Sequence, residues 1–87
     1  MTTSVLDLQV MVLPAIDAVM SEMVGDGVVD PVATLRRLQG GGDPSDAATL
    51  RYARLFRHLR GVYGFNGNEQ ILELAIRQAI DLAGSLR

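Results

Sequence analysis

The pattern of hydrophobic and polar positions predicts four helices. Apolar residues recur at helical spacing in four stretches, which are 5–24, 31–39, 44–60 and 68–85. No stretch shows the sustained alternation with β-branched residues that is typical of a strand. The connections between the stretches are short, as they are between antiparallel neighbours in helical bundles. We therefore expect residues 1–87 to form a single all-α domain, a compact bundle of about four helices.

The first helix is the most apolar of the four. Ser4 is a good N-cap with Asp7 three residues later, and Gly25-Asp26-Gly27 is a typical helix stop. Pro14 lacks a backbone donor, so we expect it to kink the helix. The alternative is a break near Leu13, because a residue before proline avoids the helical region.

The apolar face of this first helix covers roughly 200° of its circumference, which is more than one neighbour needs. In one interpretation the helix is central in the bundle and contacts two or three others. In the other, part of it forms a subunit interface, which would make the protein a homodimer. The side chains of that possible self-association surface are Val10, Met11, Met20 and Met23.

Asp-Pro pairs begin the two middle helices, since aspartate is a good N-cap and proline suits the first helical position. We expect these helices at Pro31–Gln39 and about Pro44–Arg60, with Gly61 ending the second of them. That second helix is the clearest in the chain. Its buried stripe is predicted to contain Ala48, Tyr52, Leu55, Phe56 and Leu59.

A turn-rich connector with two aromatic residues leads to the last helix. We favour Tyr63 and Phe65 as plugs that fold back over the helix ends, and the alternative is that they are exposed recognition residues. Either Asn66 or Asn68 can cap the last helix.

Composition narrows the classes of function. The apolar share of 48% excludes a disordered chain, and the lack of cysteine excludes disulfides, thiolate metal sites and a cysteine nucleophile. Residues 1–8 lack the basic region of a secretory signal. Asp7, Asp17 and Glu22 argue against a membrane span in the first helix. We therefore expect a cytoplasmic protein, and the use of arginine without lysine is typical of a GC-rich host genome.

Charge is segregated along the chain. Residues 1–30 contain five acids and no base, whereas residues 31–64 contain six arginines and two acids. These regions could attract each other within one chain or between two. The net charge of −2 excludes a strongly basic nucleic-acid binder, although it leaves room for a local basic face.

No pattern for catalysis or for a cofactor is present. Asp26 and Asp30 lie in a glycine loop that lacks the remaining ligands of a calcium site. Gly40–Gly42 lacks the lysine and hydroxyl residue of a phosphate-binding loop. His58 lies between arginines, with no serine or acid at a helical spacing that would form a dyad. We therefore expect no enzymatic activity, no cofactor and no metal.

The outer face of the third helix is the candidate binding surface. It presents Arg51, Arg54, Arg57 and His58, with Leu50 among them. Arginine is enriched at interface hot spots, and an apolar residue among arginines can serve as an anchor. The sequence therefore favours a module that binds another protein as a regulator, inhibitor or assembly factor, and it does not identify that partner.

A helix-turn-helix that binds nucleic acid with the same arginine face is the alternative. Recognition helices read bases with their N-terminal residues. Here Asp43 and Asp46 lie at that end, where they would repel phosphate, and the arginines come later. Nucleic acid is therefore the less favoured partner.

Overall fold

The computed structural model describes residues 4–63 and 69–86, and within these ranges the chain forms helices and no strand. The four helices are α1 (Val5–Gly25), α2 (Pro31–Gln39), α3 (Ala47–Tyr63) and α4 (Glu69–Ser85). The Cα radius of gyration is 12.4 Å, close to the ~12 Å of a compact domain of this length. The prediction of an all-α bundle of four helices is confirmed.

The first helix is continuous through Pro14, so the alternative of a break near Leu13 is wrong. The kink at this proline stays a prediction. The Ser4 hydroxyl accepts a hydrogen bond from the Asp7 N–H at 3.1 Å, which is the predicted N-cap. Gly27, with a φ of +93°, turns the chain after the helix into a backbone region that favours glycine.

The start of α3 differs from the prediction. The Asp43 carboxylate accepts hydrogen bonds from the Ser45 N–H and hydroxyl, at 3.0 and 2.8 Å, and so closes a local turn. Asp46 instead caps α3, because its carboxylate accepts the Ala48 N–H at 3.0 Å. The helix therefore begins at Ala47 rather than at Pro44.

The end of α3 also lies beyond the prediction. The helix continues through Gly61 to Tyr63, whose half-buried side chain packs against the core. A glycine inside a helix costs only about 1 kcal/mol, which burial of an aromatic ring can outweigh. Phe65 and the predicted caps Asn66 and Asn68 lie outside the described residues.

The core receives side chains from all four helices, and α1 contacts each of the other three. The interpretation of α1 as a central helix is therefore the one that the structure shows. Met20 and Met23 are fully buried in this core. Their placement in a self-association surface was wrong, because the bundle covers the side of α1 on which they lie. Val10 and Met11 remain exposed.

Three contacts fix α2 antiparallel to α4, because they pair the two helices in reverse order. Val32 lies against Gly84, Arg36 pairs with Asp81, and the Gln39 side chain donates to the Glu73 carbonyl at 3.3 Å. An ion pair between Arg51 and Glu22 joins the beginning of α3 to the end of α1.

By length and composition alone, α1 could cross a membrane, with a mean hydropathy of 1.4 over its most apolar window. The core helix of a soluble protein or a signal sequence near the N-terminus would satisfy the same criterion, so this is weak evidence.

Candidate functional site

The solvent side of α3 carries a stripe of three exposed residues at the i, i+4 and i+7 positions of one helix face. Leu50 is 52% exposed, and Arg54 and Arg57 follow it along the stripe. His58 is exposed at its edge. We call these four residues the α3 basic face. The sequence predicted all four for a partner-binding surface, and the structure places them together on one side of the helix.

Arg51, the fifth predicted residue, has a different environment. Its Nε donates to Asp26 Oδ2 at 2.6 Å, and its Nη1 donates to Glu22 Oε2 at 2.8 Å. The pKa of Arg51 is raised above its ordinary value, chiefly by the hydrogen bond to Asp26, and the charges of both carboxylates add to this. Arg51 therefore joins the beginning of α3 to the end of α1, and its guanidinium is already engaged within the chain.

Among the residues that the structure describes, Arg54 and Arg57 of the α3 basic face have no such partner. The ion pairs formed by residues 4–63 and 69–86 use Arg36, Arg51 and Arg60, and none of them involves Arg54 or Arg57. The face thus keeps two guanidinium groups, each with a planar set of donors that can bind a carboxylate with two hydrogen bonds.

The helix-turn-helix alternative fits less well with this geometry. The connector between α2 and α3 comprises residues 40–46, which is longer than the turn of three or four residues in that motif. Asp46 caps the end of α3 that would enter the major groove. Arg51, the arginine nearest to that end, is held by carboxylates of α1.

A second exposed surface lies where α1 meets the end of α4. Leu6, Val10 and Leu86 are 70%, 65% and 72% exposed. Beside them is a concavity of about 360 Å³, which is lined by Leu13, Pro14, Asp17, Ala83 and Leu86. We call this surface the α1–α4 apolar face.

Sequence reasoning found only Val10 of the α1–α4 apolar face. The i, i+4 spacing of Leu6 and Val10 was an available signal, because residues at that spacing lie on the same side of a helix. Met11 was grouped with Val10, but adjacent residues point about 100° apart, so Met11 is exposed on a different flank.

A polar groove of about 770 Å³ is lined by residues of α2 and α4. Two contacts cross the groove: the Arg36 Nε donates to Asp81 Oδ1 at 2.8 Å, and the Gln39 amide donates to the Glu73 backbone carbonyl at 3.3 Å. In the part of the chain that the structure describes, no group of three or more His, Cys, Asp or Glu side chains could hold a metal ion.

Comparison with protein-family models, with curated proteins and with solved structures finds no match to this chain. Any functional assignment therefore depends on the surfaces described above.

Proposed function

We propose that this protein is a small, non-enzymatic interaction module that binds an acidic surface of another protein through the α3 basic face. The supporting observation is the contrast between Arg51, which is engaged by two carboxylates of α1, and Arg54 and Arg57, which are exposed without a carboxylate partner in the described residues. Such a module would act in the cytoplasm as a regulator, inhibitor or assembly factor.

The dimensions of the face indicate what kind of partner fits. The stripe from Leu50 to Arg57 covers eight residues of α3, and seven steps of helical rise separate its ends by about 10 Å along the helix axis. Arg54 and Arg57 are one helical turn apart. A partner helix with two carboxylates one turn apart and a neighbouring apolar side chain would pair with both guanidinium groups and cover Leu50.

Photo-crosslinking from a residue on this face identifies the protein that contacts it. A photo-crosslinking amino acid replaces Ala53, which is exposed beside Arg54, and the protein is irradiated in extract of its native host. The matched control carries the same group at Ala33, which is exposed on α2. We expect a defined protein to be crosslinked from position 53 and not from position 33, and we expect a synthetic acidic amphipathic helix to compete.

Charge reversal provides the second control. Arg54→Glu/Arg57→Glu should abolish the crosslink, whereas Arg37→Glu/Arg77→Glu, which changes net charge equally at exposed arginines elsewhere, should leave it intact. Equal loss in both double variants would contradict a specific face. If the protein instead binds short duplex DNA, and only the first double variant loses that binding, the nucleic-acid alternative replaces this proposal.

A further inference from the structure

We propose that the polar groove lined by α2 and α4 binds a free α-amino acid with an apolar side chain, whose ammonium and carboxylate groups meet Glu73 and Arg77. The groove volume of about 770 Å³ lies within the range of roughly 300–1,000 Å³ that is typical of small-molecule sites. The groove is a different surface from the α3 basic face, so this proposal does not rest on the proposed function.

The groove begins one helical turn away from a close contact between α2 and α4. At that contact Val32 lies against Gly84, and one turn further along α2 the ion pair between Arg36 and Asp81 joins the same two helices. From Arg36 the groove lining continues along α2 as far as Gly40, the C-cap of that helix. The two helices are thus held together at the Val32 end, and the groove occupies the stretch toward the end of α2.

Among the described residues, two opposite charges in the groove have no ion pair. Glu73 and Arg77 are one turn apart on α4, in the order that favours pairing along a helix. Nevertheless, the ion pairs formed by residues 4–63 and 69–86 include neither of them. Asp81, the other acid one turn from Arg77, accepts a hydrogen bond from Arg36 across the groove. A carboxylate and a guanidinium group therefore remain to bind a ligand.

The two charges give the groove a negative and a positive region. The Gln39 amide donates to the Glu73 carbonyl, so Glu73 lies opposite the end of α2, where the helix dipole adds partial negative charge. An ammonium group would be stabilised there. One turn along α4, Arg77 can bind a carboxylate with two hydrogen bonds. A simple anion or cation would meet one matching and one opposing charge, whereas a zwitterion matches both.

The distance between the two charges selects an α-amino acid over a longer zwitterion. Glu73 and Arg77 are separated by about 6 Å along the helix axis. The ammonium and carboxylate groups of an α-amino acid are attached to one carbon, and two hydrogen bonds of about 2.8 Å extend them across this spacing. Each further residue of a peptide would separate its two charged ends by up to about 3.5 Å more. Leu74, which is 42% exposed in the groove lining, offers apolar contact to the ligand side chain.

An NMR titration of the isotope-labelled protein with L-leucine tests this proposal. We expect saturable shifts in the amide signals of the groove lining, such as those of Gly40 and Leu74, and unchanged signals from the α3 basic face. N-acetyl-leucine lacks the ammonium group and leucine amide lacks the carboxylate. Each should bind at least about tenfold more weakly than leucine, because each loses a charge-assisted hydrogen bond.

Three single substitutions show whether the two charged residues contact the ligand. Glu73→Gln and Arg77→Gln should each weaken leucine binding about tenfold or more. Arg37→Gln is the matched control and should leave binding unchanged, because Arg37 is exposed on α2 outside the groove lining. Binding of N-acetyl-leucine should be insensitive to Glu73→Gln and sensitive to Arg77→Gln. A substitution that merely distorted the groove would affect both ligands, and the spread of the amide signals verifies that each variant is folded.

Three results would overturn the proposal. The first is the absence of shifts in the groove lining up to the solubility limit of leucine. The second is equal binding of leucine and N-acetyl-leucine, which would reduce the groove to a site for simple carboxylates. The third is an equal loss of leucine binding in Arg37→Gln and Arg77→Gln, which would show that overall charge, rather than contact with Arg77, determines the binding.

Discussion

Helices α2 and α4 approach closely at Gly84. Replacing glycine by alanine inside a helix normally stabilises a protein, but here we expect the added methyl group to destabilise it. A Cβ atom at this position would lie 2.6 Å from Val32 Cγ2, about 1 Å closer than favourable carbon contacts of roughly 3.5–4.0 Å. Because valine is branched at Cβ and restricted in χ1, its methyl group cannot easily move away. Gly84→Ala therefore forces the two helices apart or distorts Val32.

Two opposing effects determine how much Gly84→Ala changes the free energy of unfolding. Replacing glycine by alanine within a helix stabilises by about 0.5–1 kcal/mol, through backbone entropy and helix propensity. Overpacking in a tight contact costs about 1–3 kcal/mol. We expect Gly84→Ala to destabilise the protein by about 1 kcal/mol, which would lower Tm by roughly 4–8 °C in a domain of this size.

Val32→Ala, which removes both methyl groups of the valine, should reverse the effect of Gly84→Ala on stability. In a Val32→Ala background Cγ2 is absent, and the Cβ of residue 32 lies 3.7 Å from the new methyl, which is an ordinary contact. Gly84→Ala should then stabilise by up to about 1 kcal/mol. Gly61→Ala is the matched control, because Gly61 lies within α3 with open space around its Cβ position, so it should stabilise in both backgrounds.

Denaturant unfolding followed by circular dichroism would measure the free energy of unfolding for each variant. If Gly84→Ala stabilises the original protein as much as Gly61→Ala does, α2 and α4 are not in close contact at this point. If Gly84→Ala has the same effect in both backgrounds within about 0.5 kcal/mol, Val32 is not the contact that opposes the substitution.

Two further predictions test other parts of the structure. Met20→Ala should cost about 2–5 kcal/mol because Met20 is fully buried, and Met11→Ala should change stability by less than about 0.5 kcal/mol; equal effects in denaturant unfolding would contradict the placement of Met20 in the core. Hydrogen bonds from the Ser45 N–H and, second, from its hydroxyl hold the pKa of Asp43 below its ordinary value. This lowered pKa means that the stabilisation by Asp43 is present at neutral pH and is lost as the pH falls through the acidic range. Ser45→Ala removes only the hydroxyl, so an NMR titration should show the pKa of Asp43 rising part of the way; an unchanged pKa would contradict the hydrogen bond from the Ser45 hydroxyl.

The positions of helices were predictable wherever one residue alone could act as the cap. Asp30 is followed directly by Pro31, no second acid lies between it and the helix, and α2 begins as predicted. Before α3, however, Asp43 and Asp46 are both suitable caps, and the sequence contains the Asp-Pro signal only at the first. The choice depends on Ser45, which engages Asp43 in a turn and leaves Asp46 to cap the helix.

The candidate site was predictable as a face but not residue by residue. Arg51 and Arg54 are the same residue type on the same helix, and only the packing of α1 distinguishes them. A signal was present nonetheless, because Arg51 is three residues after Ala48 and four before Leu55, both of which are buried. A residue with buried neighbours at those spacings lies at the border of the core, where a charged side chain meets the adjoining helix.

The ion pairs within the bundle also determine which arginines are left to bind a partner. The six arginines of residues 31–64 suggested a broad basic surface, but ion pairs with Glu22, Asp26, Asp81 and Glu69 use three of them. Of the three without an ion pair among the described residues, Arg37 lies on α2, and Arg54 and Arg57 lie on the α3 basic face. Two phosphate contacts would release few counterions and give weak binding to nucleic acid, which relies on many such contacts. A protein surface needs fewer charges, because Leu50 can add apolar contact beside two charge-assisted hydrogen-bond pairs. Because few charges remain, we expect a partner that is recognised by short-range contacts with this face, rather than one that is attracted by long-range electrostatics.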